Sequence, residues 1–251
     1  FSSPLRVTEN VTSSLSNTDN LSKYVNNMRF GTMYYWRVRA YHTQVTSGWS
    51  VVRQFHTQTR VGLYSPSDAT FQYTRINFQW NNARGCTSYT IQIDSSLTFS
   101  SPLMITETVT TPVTNTDNYM TLYVNNLHYC TRYYWRVRAS NAAGPSQWSV
   151  VRQFTTTARP TLYDPSNNST NYNISSHKLY WYNQVGSTTY NVQVDTTPAF
   201  SSPLLQTRNV TNSQTNTTSY INTTPTGLRP GTTYYWRVRA INTVDNSEWS
   251  L

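Results

Sequence analysis

Apolar and polar residues alternate with a period of two from Tyr34 to Ala40. Tyr34, Trp36, Val38 and Ala40 fall on one side, and Tyr35, Arg37 and Arg39 on the other. That alternation predicts a strand buried on one face. The same seven residues return at Tyr133 to Ala139 and Tyr234 to Ala240, spaced by 99 and 101 residues. Tyr89-Thr-Ile-Gln-Ile-Asp94 and Tyr190-Asn-Val-Gln-Val-Asp195 alternate in the same way, and Phe1-Ser-Ser-Pro-Leu5 recurs from Phe99 and from Phe200. Asn-Thr-Asp at Asn17 and Asn115, and Asn-Thr-Thr at Asn216, mark a repeated turn. No stretch sustains a helical period. The chain therefore reads as all-β, one unit of about 100 residues written serially, a period far longer than that of solenoid repeats.

The repeat divides the 251 residues into three expected parts. Residues 1–57 are the C-terminal part of one unit, 58–157 a complete unit, and 158–251 a unit lacking most of its last strand. A sandwich without its first strands leaves an inner face open. Residues 1–57 are thus expected to be completed by preceding chain or by a neighbouring molecule. The linkers, between about Thr57 and Leu63 and between Thr157 and Leu162, are short, and Pro160 stiffens the second, so neighbours should swing little.

A specific resemblance follows from these residues. Leu228-Arg-Pro230-Gly-Thr232-Thr-Tyr234 resembles the E–F corner of a fibronectin type III domain, with Leu127 to Tyr133 and Met28 to Tyr34 as looser versions. The resemblance implies tandem fibronectin type III or immunoglobulin-like β-sandwiches. It makes Tyr34, Tyr133 and Tyr234 tyrosine corners, whose buried hydroxyls bond to nearby backbone. Trp80 and Trp181 then resemble the core Trp of strand B, and Phe55 and Phe154 mark the end of strand G. Ser47-Gly-Trp49-Ser50, Ser146-Gln-Trp148-Ser149 and Ser247-Glu-Trp249-Ser250 are similar to half of the Trp-Ser box of cytokine receptors. There the Trp stacks between outward arginines of strand F. The resemblance implies a ladder of Trp49 with Arg37 and Arg39, Trp148 with Arg136 and Arg138, and Trp249 with Arg237 and Arg239. Trp49 and Phe55 are six apart and would share a face in a regular strand. A bulge between them permits the ladder; without one, Trp49 is core.

Composition narrows function. The formal charge of +9 raises a nucleic-acid reading. Against it, eight of the nineteen basic residues sit at repeated scaffold positions, only two are Lys, and no basic run or recognition helix exists. Attraction to anionic glycans fits better. Cys86 and Cys130 are expected in the B–C and E–F loops, at opposite ends of one sandwich and too far apart for a disulfide. His42, His56, His128 and His177 are scattered, and no zinc, calcium, phosphate-loop or nucleophile-elbow motif occurs. No catalytic, cofactor-binding or metal residue is expected, and no membrane-spanning stretch is present. Tyr35, Tyr134 and Tyr235 should face outward. Sequons at Asn10, Asn20, Asn167, Asn168, Asn173, Asn209, Asn216 and Asn222 are candidate glycosylation sites, in number no more than chance gives. Asn10 and Asn209 occupy the same repeat position.

The expectation is a non-enzymatic extracellular structural protein, a stalk or filament subunit of bacterial-surface type. Its expected partners are copies of itself and glycans. The alternative is a spacer or ligand-binding module of a secreted carbohydrate-active enzyme or adhesin. A receptor ectodomain is a third reading, disfavoured by the missing disulfides.

Overall fold

The computed structural model describes residues 7–13, 20–112, 115–170 and 176–251. Seventeen strands form among them. In chain order they are β1 (Met33–Trp36), β2 (Arg53–His56), β3 (Leu63–Ser65), β4 (Thr70–Gln72), β5 (Ile76–Asn81), β6 (Ser88–Asp94), β7 (Ile105–Thr110), β8 (Tyr119–Val124) and β9 (Arg132–Asn141). Then follow β10 (Gly144–Pro145), β11 (Arg152–Thr156), β12 (Leu162–Asp164), β13 (Leu179–Tyr182), β14 (Thr189–Asp195), β15 (Gln206–Thr211), β16 (Tyr220–Thr223) and β17 (Tyr235–Ile241).

The second unit is a two-layer sandwich. One sheet runs β3-β5-β8; the other runs β4-β11-β9-β6-β7, with β10 folded back on β9. Strands pair antiparallel except β4 with β11, where Thr70, Phe71 and Gln72 run parallel to Phe154, Thr155 and Thr156, and an isolated parallel bridge joins Arg60 to Gln147. The third unit repeats the plan with β12-β13-β16 and β15-β14-β17. In the first unit β1 pairs with β2.

The alternation seen in the sequence becomes the two faces of each sheet. In β9 the residues Tyr133, Trp135, Val137 and Ala139 are buried, and those between them are not. Phe78 meets Trp135 and Phe154 edge-on at 5.0 and 5.8 Å, and Trp80 meets Tyr89 at 5.5 Å. Trp181 and Tyr190 repeat the last contact at 5.3 Å in the third unit. Such aromatic pairs add to the burial term, which is largest for these side chains. In the first unit the equivalent face is open: Trp36, Val38 and Phe55 are 44, 55 and 40% exposed.

Adjacent units meet the same way twice. Gly31 N–H donates to Gln58 O at 2.9 Å, while the next residue, Thr59, accepts from Gln147 N–H of the second unit at 3.1 Å. At the second junction Cys130 N–H donates to Thr157 O at 3.2 Å, and Ala158 accepts from Glu248 N–H at 2.9 Å. Consecutive linker residues are thus pinned to consecutive units. A second bond crosses each junction: Asn141 Nδ2 donates to Met28 O at 2.8 Å, and Asn242 Nδ2 to Leu127 O at 2.9 Å. Phe30 packs on the core of the second unit, and Tyr129, its counterpart one repeat on, lies within the core of the third.

Candidate functional site

Each strand F carries two outward arginines, and each Ser-x-Trp-Ser segment lays its indole over them. The guanidinium carbons of Arg37 and Arg39 lie 4.2 and 4.5 Å from the Trp49 ring centre. Arg136 and Arg138 lie 4.4 and 4.6 Å from Trp148, and Arg237 and Arg239 lie 4.4 and 4.7 Å from Trp249. These are cation–π distances. The parity question from the sequence is answered by the serines. Ser50 Oγ accepts Val38 N–H at 3.1 Å and Ser47 Oγ accepts Ala40 N–H at 2.9 Å, and both bonds recur in the other units. Side-chain oxygens here stand where a paired strand would offer carbonyls. The segment is therefore not regular strand, and in the first unit pairing with strand F resumes at Arg53. Trp49 is free to lie over the arginines while Phe55 stacks on Tyr34 at 5.9 Å.

Two parts of this brace were not read from the sequence. Phe99 lies 3.9 Å from Arg136, and Phe200 lies 4.0 Å from Arg237, which extends the stack by one ring. Both phenylalanines have positive φ, 54° and 52°, a region bulky L-residues rarely occupy. The turns that hold them are tied by Asp94 and Asp195, which accept from the N–H and hydroxyl of Ser101 and Ser202. Burial pushes the Asp195 carboxyl up, but bonds from Ser202, Thr196 and Thr197 outweigh it and hold it at about 2. Asp94 is lowered by the same balance. The repeat of Phe-Ser-Ser-Pro-Leu was the available signal. Its first copy, from Phe1, and the turn at Asn17 lie outside the described residues.

The second feature not foreseen is a tyrosine latch on strand C. Tyr89 hydroxyl accepts Ala83 N–H at 2.6 Å and donates to Asn82 Oδ1 at 2.7 Å. Tyr190 does the same with Gln184 N–H and Asn183 Oδ1, at 2.5 and 2.7 Å. Burial pushes the Tyr190 phenol up to about 12. The tyrosine-corner positions bond five residues back: Tyr34 to Arg29 N–H at 2.9 Å, Tyr133 to His128 N–H at 3.1 Å, and Tyr234 to Arg229 N–H at 3.0 Å.

The remaining candidates are dispersed. Cys86 is buried, Cys130 is exposed, and both are free thiols; burial pushes the Cys86 thiol up. His128 Nδ1 is 2.9 Å from Asp245 of the third unit, and His177 pairs with Asp164 at 3.4 Å. Among the described residues no group of His, Cys, Asp and Glu could hold a metal ion, and no helix is long and apolar enough to cross a membrane. The sequons at Asn10, Asn20, Asn167, Asn168, Asn209 and Asn222 are exposed. Asn216 is half-buried, with its Nδ2 donating to Asn212 Oδ1 at 2.6 Å. Asn173 lies outside the described residues.

Facing sheets, a corner tyrosine five residues from its N–H partner, and the Ser-x-Trp-Ser brace together define tandem fibronectin type III and immunoglobulin-like β-sandwiches. A family model described as the Rha78A-like, N-terminal immunoglobulin domain matches residues 68–159, most of the second unit. Among solved structures, the chicken CNTN1 FN1-FN3 domains are similar at 17% identity, with a TM-score of 0.29. That likeness covers 88% of this chain and 74% of the other. No curated protein sequence matches the chain.

Proposed function

We propose that the chain is a non-enzymatic extracellular structural protein, a stalk or filament subunit that holds its ends at a fixed separation. The observation that carries this reading is the joint. At both junctions one linker residue is bonded back to the preceding unit and the next residue is bonded forward, leaving no slack chain between them. A flexible tether would need several free residues. The polar, lightly charged composition, 12% Asp, Glu, Lys and Arg, suits a secreted sandwich whose thiols stay unpaired. Exposed sequons suit a glycosylated, adhesive surface. Small-angle scattering of the whole chain tests the joint: a single narrow distribution of maximum dimension is expected, and a broad one sinks the rod. Electron microscopy at high concentration tests the filament, which separate monomers alone would rule out.

A second reading has its own support. The match to a domain described as N-terminal favours a module that precedes another part of a longer chain, such as a spacer of a secreted carbohydrate-active enzyme or adhesin. The full reading frame separates the two, because a catalytic neighbour would favour the spacer.

A further inference from the structure

In the second and third units the ladder is a brace whose arginines meet no carboxylate in an ion pair among the described residues. Arg136 gives Nε and Nη2 to one acceptor, Gln92 Oε1, at 2.9 and 2.7 Å, and Arg237 gives the same pair to Gln193 Oε1 at the same distances. A bidentate fork that usually meets a carboxylate here meets a neutral amide. None of the ion pairs among the described residues involves Arg136, Arg138, Arg237 or Arg239. Burial lowers the proton affinity of Arg136 and Arg237, and the like charge of Arg138 and Arg239 adds to it.

Along the surrounding sheet face the side chains beside these arginines are neutral. Pairing register places Thr90, Gln92, Thr106 and Thr108 on the side of Arg136 and Arg138 in the second unit. In the third unit Asn191, Thr207 and Asn209 lie on the side of Arg237 and Arg239. Glu107 is paired opposite Ile91 and so belongs to the other side. Asp94 and Asp195 keep their charge but sit at the strand ends, bonded to Ser101 and Ser202. Two units therefore present the same surface: guanidinium groups set among hydroxyls and amides.

We propose that this face of the second and third units is a binding surface for acidic polysaccharide. The guanidinium charge and the N–H groups that Gln92 and Gln193 leave over suit uronate or sulfate groups, and the threonine and asparagine side chains suit sugar hydroxyls. Single-stranded nucleic acid is a poorer occupant, because base stacking needs open aromatic faces and Trp148 and Trp249 are already covered by guanidinium groups. The inference is independent of the rod, since a face can bind glycan whether or not the joints are stiff.

The test uses the whole chain, produced without N-linked glycosylation because Asn209 lies on the face. Binding to alginate, dextran sulfate, neutral dextran and single-stranded DNA is measured as a function of salt. Binding to either acidic polymer, weakening as salt rises, is expected, with none to neutral dextran. The double variant Gln92→Glu/Gln193→Glu gives each ladder a carboxylate partner in place, so its melting temperature should not fall, while affinity should drop about tenfold or more. Gln79→Glu/Asn222→Glu changes net charge equally on the opposite sheet and should bind as the parent does. Absence of binding to both acidic polymers overturns the proposal. So does an unchanged Gln92→Glu/Gln193→Glu variant, or an equal loss in both variants, which would make net charge the cause. Tighter binding to DNA than to either polysaccharide would replace it with a nucleic-acid surface.

Discussion

The two junctions share a backbone plan and differ in the side chains that hold them. At the second, Tyr129 is 6% exposed within the core of the third unit. Gly186 there comes so close to the second unit that a Cβ would sit 2.6 Å from Thr74 Oγ1 and 2.7 Å from Arg75 N. His128 pairs with Asp245, Arg159 with Glu248, and Thr157 Oγ1 donates to Gln184 Oε1 at 2.8 Å. At the first junction Phe30 is half-buried. Arg29, Gly144 and Gln147 stand where the second junction has His128, Asp245 and Glu248. The shared bonds to backbone carbonyls fix the relative placement of units, and side-chain packing then sets how firmly each joint is held.

Substitutions can break or sharpen that contrast. The largest effect is expected at the aromatic knobs. Tyr129→Ala should cost about 3 kcal/mol and uncouple the third unit, seen as a second transition in calorimetry. Phe30→Ala should cost about half as much. Next come the glycines. Both have positive φ, 102° at Gly186 and 82° at Gly85, so alanine strains both by about 1 kcal/mol. Gly186→Ala should add an overpacking cost of about 1–2 kcal/mol against Thr74 and Arg75, and a denaturation midpoint no lower than that of Gly85→Ala, taken as strain alone, would refute that close contact. Third, Asn242→Ala leaves Leu127 O short of a donor in a buried setting and should cost about 1–2 kcal/mol. Asn141→Ala, in a half-buried setting, should cost less, and a reversed order in urea melts would contradict the comparison.

The smallest effect near neutrality is the acid response, which should be common to the second and third units. Asp195 is held near 2 in the folded chain, below the usual aspartate value of about 4. A depressed folded value stabilises fully above the unfolded value, and that contribution is lost as pH falls from about 4 towards 2. Asp195→Asn should flatten stability over that window and leave its slope above pH 5 unchanged, as read from melts against pH.

Much of this was legible in the sequence, for physical reasons. A sandwich strand must alternate, so Tyr34, Trp36, Val38 and Ala40 announced their face directly. Repetition then separated scaffold from accident, as with the ladder tryptophans. Phe99 and Phe200 were harder, because nothing in a turn sequence says that a positive-φ phenylalanine will fold over an arginine of a strand that is adjacent in the sheet but distant in the chain. The Tyr89 and Tyr190 latches depend on loop backbone, which has no sequence signature of its own. The junctions were least legible. Asn141 and Asn242 do repeat, but their partners are the carbonyls of Met28 and Leu127, and a carbonyl is present at every residue.

The parallel pairing of β4 with β11 has a mechanical consequence. These strands lie near the entry and exit of the second unit, and a pull on its two ends draws them past each other along their length. Their bonds then bear the load together, whereas a hairpin pulled at its open end would give way bond by bond. Rupture of such a unit requires a concerted slip, which favours resistance to tension over easy extension.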